Sequence, residues 1–113
     1  MNYKVLVFPS AVADLDAAYS YAAKHAPMTA ARWLERFQSA IDGLTVNPTA
    51  WPLAHESVRT KLALREMLFG KRPNVFRVVF EIVDAEVHVL RIRRGAQRWL
   101  TSTEVKRARS SRD

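Results

Sequence analysis

The spacing of apolar side chains changes once along this chain, near Thr60, from the three- and four-residue recurrence of helices to the alternation of strands. Apart from a short opening run, helices must therefore come first and strands after. Leu15, Ala18, Tyr19 and Ala22 predict a helix from Ala11 to about His25, with Ser10 placed to cap it and Asp14 and Asp16 favourably in its first turn. Pro27 separates it from a second helical period in Trp33, Leu34, Phe37, Ile41 and Leu44. Arg32, Glu35, Arg36 and Asp42 lie off that stripe, and Asn47-Pro48 stops it. Two amphipathic helices joined this closely form an antiparallel hairpin, and Trp33 and Phe37 read as its core rather than as a ligand box. Before them, Tyr3 to Phe8 is a nearly continuous apolar run ending at Pro9, which reads as a buried strand.

Asn47 to Thr60 has no stable period and reads as a loop packed down by Trp51. Beyond it, Leu62, Leu64 and Leu68 fall on one side of a strand, and Arg65 with Met67 on the other. Gly70 to Asn74 is a turn, and Val75–Val83 and Val87–Arg94 are strands around Asp84-Ala85-Glu86. With a three-residue loop, Val83 faces Val87, Phe80 faces Leu90 and Val78 faces Ile92, which gathers the apolar set on one face. Arg77, Arg91 and Arg93 then share the other face, and Arg65 joins them if its strand aligns in phase. The order strand, helix, helix, strand, strand, strand is α+β, a β-α-α-β-β-β arrangement with the helical hairpin on one face of a small, mainly antiparallel twisted sheet. After Gly95 come Trp99, Leu100 and Val105 and a run of basic residues, so that 1–100 reads as the domain and 101–113 as a mobile basic tail.

Composition narrows the function classes. At 113 residues the chain is one domain, able to bury a core without staples, and it holds no cysteine. Disulfide scaffolds, thiolate metal sites and thiol nucleophiles are excluded. Residues 1–56 carry four basic and five acidic side chains and residues 57–113 carry fourteen and six, so the halves stand at −1 and +8. That polarity suits an anionic protein, a phosphate backbone, or both, although solubility alone would also accommodate it. The opening apolar run is too short for a signal peptide and is broken by Pro9, and nothing approaches a membrane span, so a cytoplasmic protein without membrane contact is expected.

Little catalytic chemistry is on offer. Glu66, Glu81, Asp84 and Glu86 lie beside arginines or in a turn, and His25, His55 and His88 lack metal-ligand spacing. No glycine-rich phosphate loop and no strand-turn-helix serine elbow occur, and no metal or cofactor is expected. The arginines remain. Guanidinium groups gathered on one sheet face repel one another unless an anion completes the site, and phosphate suits their forked geometry. The alternative is that they pair with Glu66, Glu81 and Glu86 or cover apolar surface with their stems.

The segment from Leu64 to Phe80, Leu64-Arg65-Glu66-Met67-Leu68-Phe69-Gly70-Lys71-Arg72-Pro73-Asn74-Val75-Phe76-Arg77-Val78-Val79-Phe80, followed by Val87-His88-Val89-Leu90-Arg91-Ile92-Arg93-Arg94-Gly95, resembles the C-terminal half of RelE/ParE-family toxins. The early strand, a helix with Asp14-Leu15 and Tyr19, a second helix ending near Leu44, and Asn47-Pro48 resemble the family's first half, so the likeness spans about residues 3–100. The resemblance implies the toxin of a type II toxin–antitoxin, plasmid-stabilisation pair, held inactive by a small, often acidic cognate antitoxin. RelE-like members cleave mRNA in the ribosomal A site, whereas ParE-like members poison DNA gyrase. Arg77 matches the family's third-strand arginine, which in cleaving members contacts the scissile phosphate, and Arg65 matches a basic residue of the second strand.

Cleaving members carry a further arginine after the last strand and then an aromatic or imidazole acid–base group. Those places fall on Gln97 and Thr103, with Arg98 one residue from the first, and neither tyrosine nor histidine follows His88. Glu104 is near enough in sequence to substitute. Without a proton donor or acceptor, positioned arginines bind RNA but cleave it poorly. The ParE-like reading is thus favoured, with Arg65, Arg77, Arg91, Arg93 and Arg98 as target-binding residues. A ribosome-dependent endoribonuclease using Arg77, Arg98 and Arg65 is the alternative, and an inactive basic binding module is the second alternative.

Overall fold

The computed structural model describes residues 2–112. Strand β1 (Lys4–Val7) leads into helix α1 (Pro9–His25), and α2 (Pro27–Asp42) follows after Ala26. Both prolines stand in the first helical turn, where their fixed φ suits the helix and the missing N–H removes no bond. Because α1 starts at Pro9, Ser10 lies inside the helix and does not cap it; its hydroxyl donates to the Leu90 carbonyl at 2.8 Å. A single 3₁₀ turn, Gly43–Thr45, follows α2, and the segment expected to be a loop contains another, Pro48–Ala50, and a short helix, α3 (Glu56–Thr60). Trp51 packs against the core as expected. Strands β2 (Leu64–Phe69), β3 (Phe76–Val83) and β4 (Glu86–Arg94) come next, and α4 (Ser102–Ser110) closes the chain.

The sheet order is β1-β4-β3-β2, with β2, β3 and β4 antiparallel and β1 parallel to β4. The α+β class and the mainly antiparallel sheet are as the sequence predicts. The hairpin register differs in one respect. Val83 pairs with Glu86, not Val87, so the loop is the two-residue turn Asp84-Ala85, with Asp84 at φ 55°. Aspartate tolerates that left-handed backbone, and a two-residue turn matches the strand twist. The offset is absorbed by a bulge: Val78 pairs with Ile92 as expected, but Phe80 pairs with Val89 and Leu90 becomes the extra residue.

The bulge lets both sheet faces be apolar. Phe80, Val87 and Val89 stay with Val78 and Ile92 on the side covered by α1 and α2, where Leu15, Phe37, Ile41 and Leu44 complete the main core. Leu90 turns to the opposite side and joins Leu64 and Val79 beneath Leu100, Val105 and Ala108. The expected guanidinium face is thus largely a second core. Residues 102–110 are the helix covering it, not a loose tail, since Val105 and Ala108 recur at helical spacing toward the sheet. Thr101 caps α4 through a reciprocal box with Glu104, the two bonds being 2.9 and 3.1 Å.

Candidate functional site: separated arginines and an apolar groove

The five arginines nominated by sequence do not form one free guanidinium cluster: Arg65 stands apart, Arg77, Arg91 and Arg98 are held by carboxylates, and Arg93, a neighbour of those three, is the unpaired one among the described residues. Arg65 lies opposite Phe80, on the Met67 side of β2, and donates to the Trp51 carbonyl at 2.6 Å. Leu68 pairs with Arg77, so it is Leu64, Glu66 and Leu68 that share the Arg77 side, and Arg65 is one residue out of phase.

Arg77 is only 6% exposed and is held by two carboxylates. Its two terminal nitrogens donate to Glu56 at 2.7 and 3.2 Å, and its Nε donates to Glu66 at 2.9 Å. Glu56, from the start of α3, is itself 1% exposed and also accepts the Leu100 backbone N–H at 2.8 Å. Burial alone would raise the Glu56 carboxyl, but the bonds from Arg77 and Leu100 outweigh it and hold it below its ordinary value. Burial likewise works against the Arg77 charge, and Glu56 and Glu66 reverse that and hold it more firmly protonated. The triad ties α3, β2, β3 and the entrance to α4 together.

Arg91 grips Asp14 of α1 through two bonds of 2.7 and 3.0 Å, and the same carboxylate accepts the Ile92 backbone N–H at 2.8 Å. Strand β1 pairs with β4 only as far as Val89, so Asp14 supplies the acceptor that a longer neighbouring strand would have offered Ile92. Arg98, largely exposed, makes two bonds of 2.8 and 3.2 Å to Glu104. That bond, then the Thr101 backbone N–H, pulls the Glu104 carboxyl down to about 2, and the same bond raises the Arg98 guanidinium.

Arg93 is the exception. It sits across from Arg77, 7% exposed, and donates from Nη2 to the Arg98 carbonyl at 2.9 Å. Its Nε is buried without a hydrogen-bond partner, and among the described residues no carboxylate lies within ion-pair distance of it. Burial and then the neighbouring Arg91 charge both lower its pKa.

Two of these partners carry no sequence signal. Glu56 lies 21 residues before Arg77 in a segment without periodicity, and Asp14 shows in sequence only a favourable first-turn position. Glu66, by contrast, is among the carboxylates named beside the arginines, and it does pair; Glu81 pairs with Arg109, at 2.9 Å.

A concavity lies between the helical hairpin and the ends of β3 and β4. It encloses about 590 Å³, with Ala18, Ala22, Trp33, Phe76 and Ile92 among its apolar lining and Arg36 and Arg94 among its charged residues. Small side chains on α1 leave its floor open, and the arginines make its rim positive. Among the described residues no group of three or more His, Asp or Glu side chains is arranged to hold a metal ion, and no helix is long and apolar enough to cross a membrane.

Comparison with known proteins agrees with this architecture. No curated protein sequence matches the chain. A solved structure described as the chromosomal ParDE TA system from P. aeruginosa is similar in fold, with a TM-score of 0.67 at 22% identity, covering 81% of this chain and 95% of that one. A family model for the ParE toxin of type II toxin-antitoxin system, parDE, matches residues 5–99, from β1 to the residue before Leu100. This chain therefore belongs to the ParE family of type II toxins.

Proposed function

We propose that this toxin arrests growth by binding its target rather than by cutting RNA, that the target is DNA gyrase in the cytoplasm, and that a cognate antitoxin neutralises it. The observation that carries the first part is the state of Arg77. The arginine that a cleaving relative would present to the scissile phosphate is buried and neutralised by Glu56 and Glu66. Releasing it would leave two carboxylates unpaired, one of them fully buried, at a cost of several kcal/mol. Glu104 serves no better as a proton shuttle, since a carboxyl held down to about 2 neither donates nor accepts usefully near neutral pH. Arg98 is committed to that carboxylate.

The antitoxin reading rests on the groove beside α1 and α2. Its alanine-lined floor and its arginines fit an amphipathic acidic segment, whose apolar side chains enter while its carboxylates meet Arg36 and Arg94. Purified toxin is expected to inhibit gyrase supercoiling, or to trap cleaved DNA, at near-stoichiometric ratios, and the acidic product of the neighbouring reading frame is expected to reverse it. No effect on gyrase at large excess would refute the target. Breaks within codons during translation that vanish in Arg77→Ala would refute the binding mechanism.

A further inference from the structure

The turn between β4 and α4 carries a second, smaller surface beside the groove, with Gln97 shared between the two. Trp99 is 48% exposed, and its indole lies parallel to the His55 imidazole, with centroids 4.2 Å apart and planes 11° from coplanar. A cavity of about 490 Å³ opens beside it, bounded by Arg59, Gln97, Arg98, Trp99 and Thr101. One wall is therefore the flat Trp99 indole, with His55 stacked on it, and two of the others are guanidinium groups. Arg59 spends its charge on no carboxylate among the described residues; its bond is to the Leu100 carbonyl, at 3.4 Å.

The charge under this surface is unbalanced. Arg98 is offset by Glu104, but Arg93, which lines the groove and donates to the Arg98 carbonyl, is buried with an unpartnered Nε and, among the described residues, no carboxylate within ion-pair distance. A buried, uncompensated guanidinium is costly, and its field reaches out through the surface nearest it. The combination is selective. A stacking plane alone would take any flat apolar group, and cations alone any anion, whereas the two together suit a ligand that alternates flat rings with negative charges.

We propose that the face formed by His55, Trp99 and Arg59 binds single-stranded nucleic acid, one base stacking on the Trp99 indole that His55 backs and an adjacent phosphate lying on Arg59, the cation of this face that no carboxylate holds among the described residues. Duplex is disfavoured, because a base must leave its own stack before it can lie on a protein ring. The assignment does not depend on gyrase being the target.

The test uses the full chain and a fluorescein-labelled oligothymidylate of about 12 nucleotides, read by anisotropy at low salt. Binding is expected, with Trp99→Ala weakening it roughly tenfold and Trp99→Phe retaining it. Arg59→Ala is expected to flatten the dependence of log affinity on log salt by about 0.7. Lys24→Ala, on α1, leaves affinity unchanged. Ultraviolet cross-linking of the unaltered protein to the same oligonucleotide is expected to map to His55 or Trp99, a readout independent of whether any variant folds. The proposal is overturned by absent binding, by cross-links elsewhere, by Trp99→Ala binding as the parent does, or by a duplex or an acidic peptide competing as well as the single strand.

Discussion

Replacing Glu56 with glutamine removes one charge from the buried triad while nearly keeping its shape, and the cost follows from the contacts. Glu56 accepts three hydrogen bonds, two from Arg77 and one from the Leu100 N–H. The glutamine oxygen can replace the carboxylate oxygen that serves Arg77 Nη1 and Leu100. Its amide must then face Arg77 Nη2, donor against donor. Because Glu66 still lies 2.8 Å from that nitrogen, the loss falls short of breaking an isolated buried pair. One charge-assisted bond is forfeited, about 2–3 kcal/mol. With a urea m-value of roughly 1.5 kcal/mol/M, the unfolding midpoint drops by about 1.5 M. The pH dependence has a definite sign. The folded Glu56 carboxyl lies below its ordinary value of 4.5, so its contribution is complete above that value and is lost as pH falls through the lower folded value. Glu56→Gln should therefore flatten the acid limb of the stability curve. A variant within about 0.5 kcal/mol of the parent, with an unchanged acid limb, would refute the claim that this triad braces the fold.

Other outcomes follow from the same coordinates. Leu100→Ala opens a cavity in the core beneath α4 and should cost about 3 kcal/mol by urea unfolding, whereas a residue leading into a loose tail would cost almost nothing. Carboxyl NMR should find Glu104 titrating near 2, and Arg98→Ala should bring it up toward 4.5, since the Arg98 bond is the largest cause of its depression. Arg36→Glu with Arg94→Glu should weaken antitoxin binding at least tenfold, as judged by calorimetry, and reduce its salt sensitivity, without lowering thermal stability; unchanged binding would place the antitoxin elsewhere. Arg77→Ala should destabilise the fold by several kcal/mol, so growth inhibition by this variant must be compared with its unfolding midpoint before any loss is assigned to target contact.

Much of the fold is written in local pattern. The two helices are legible because Leu15, Ala18, Ala22 and then Phe37, Ile41 and Leu44 recur at the helical period and Pro27 separates them, although the start of the first at Pro9, without a Ser10 cap, is not. The strands are legible through alternation, and the Val78–Ile92 pairing follows from matching apolar sets. Val105 and Ala108 also have the spacing of a packed helix, but the surrounding lysine and arginine residues hide these two buried positions behind a solvated face.

The sites depend on facts that no local pattern holds. The bulge at Leu90 shifts half of β4 by one residue, and since side chains alternate across a sheet, that step decides which of Leu90, Arg91 and Ile92 meets which layer. Whether Arg65 joins Arg77 depends on the phase of β2 against β3, which the turn at Gly70 leaves open in sequence. Above all, the fate of a guanidinium is set by what folding brings near it. Glu56 reaches Arg77 from α3, Asp14 reaches Arg91 from α1, and among the described residues no carboxylate reaches Arg93. Periodicity is a property of neighbours along the chain and can be read from it; charge compensation is a property of neighbours in space, and only the closed tertiary structure determines it.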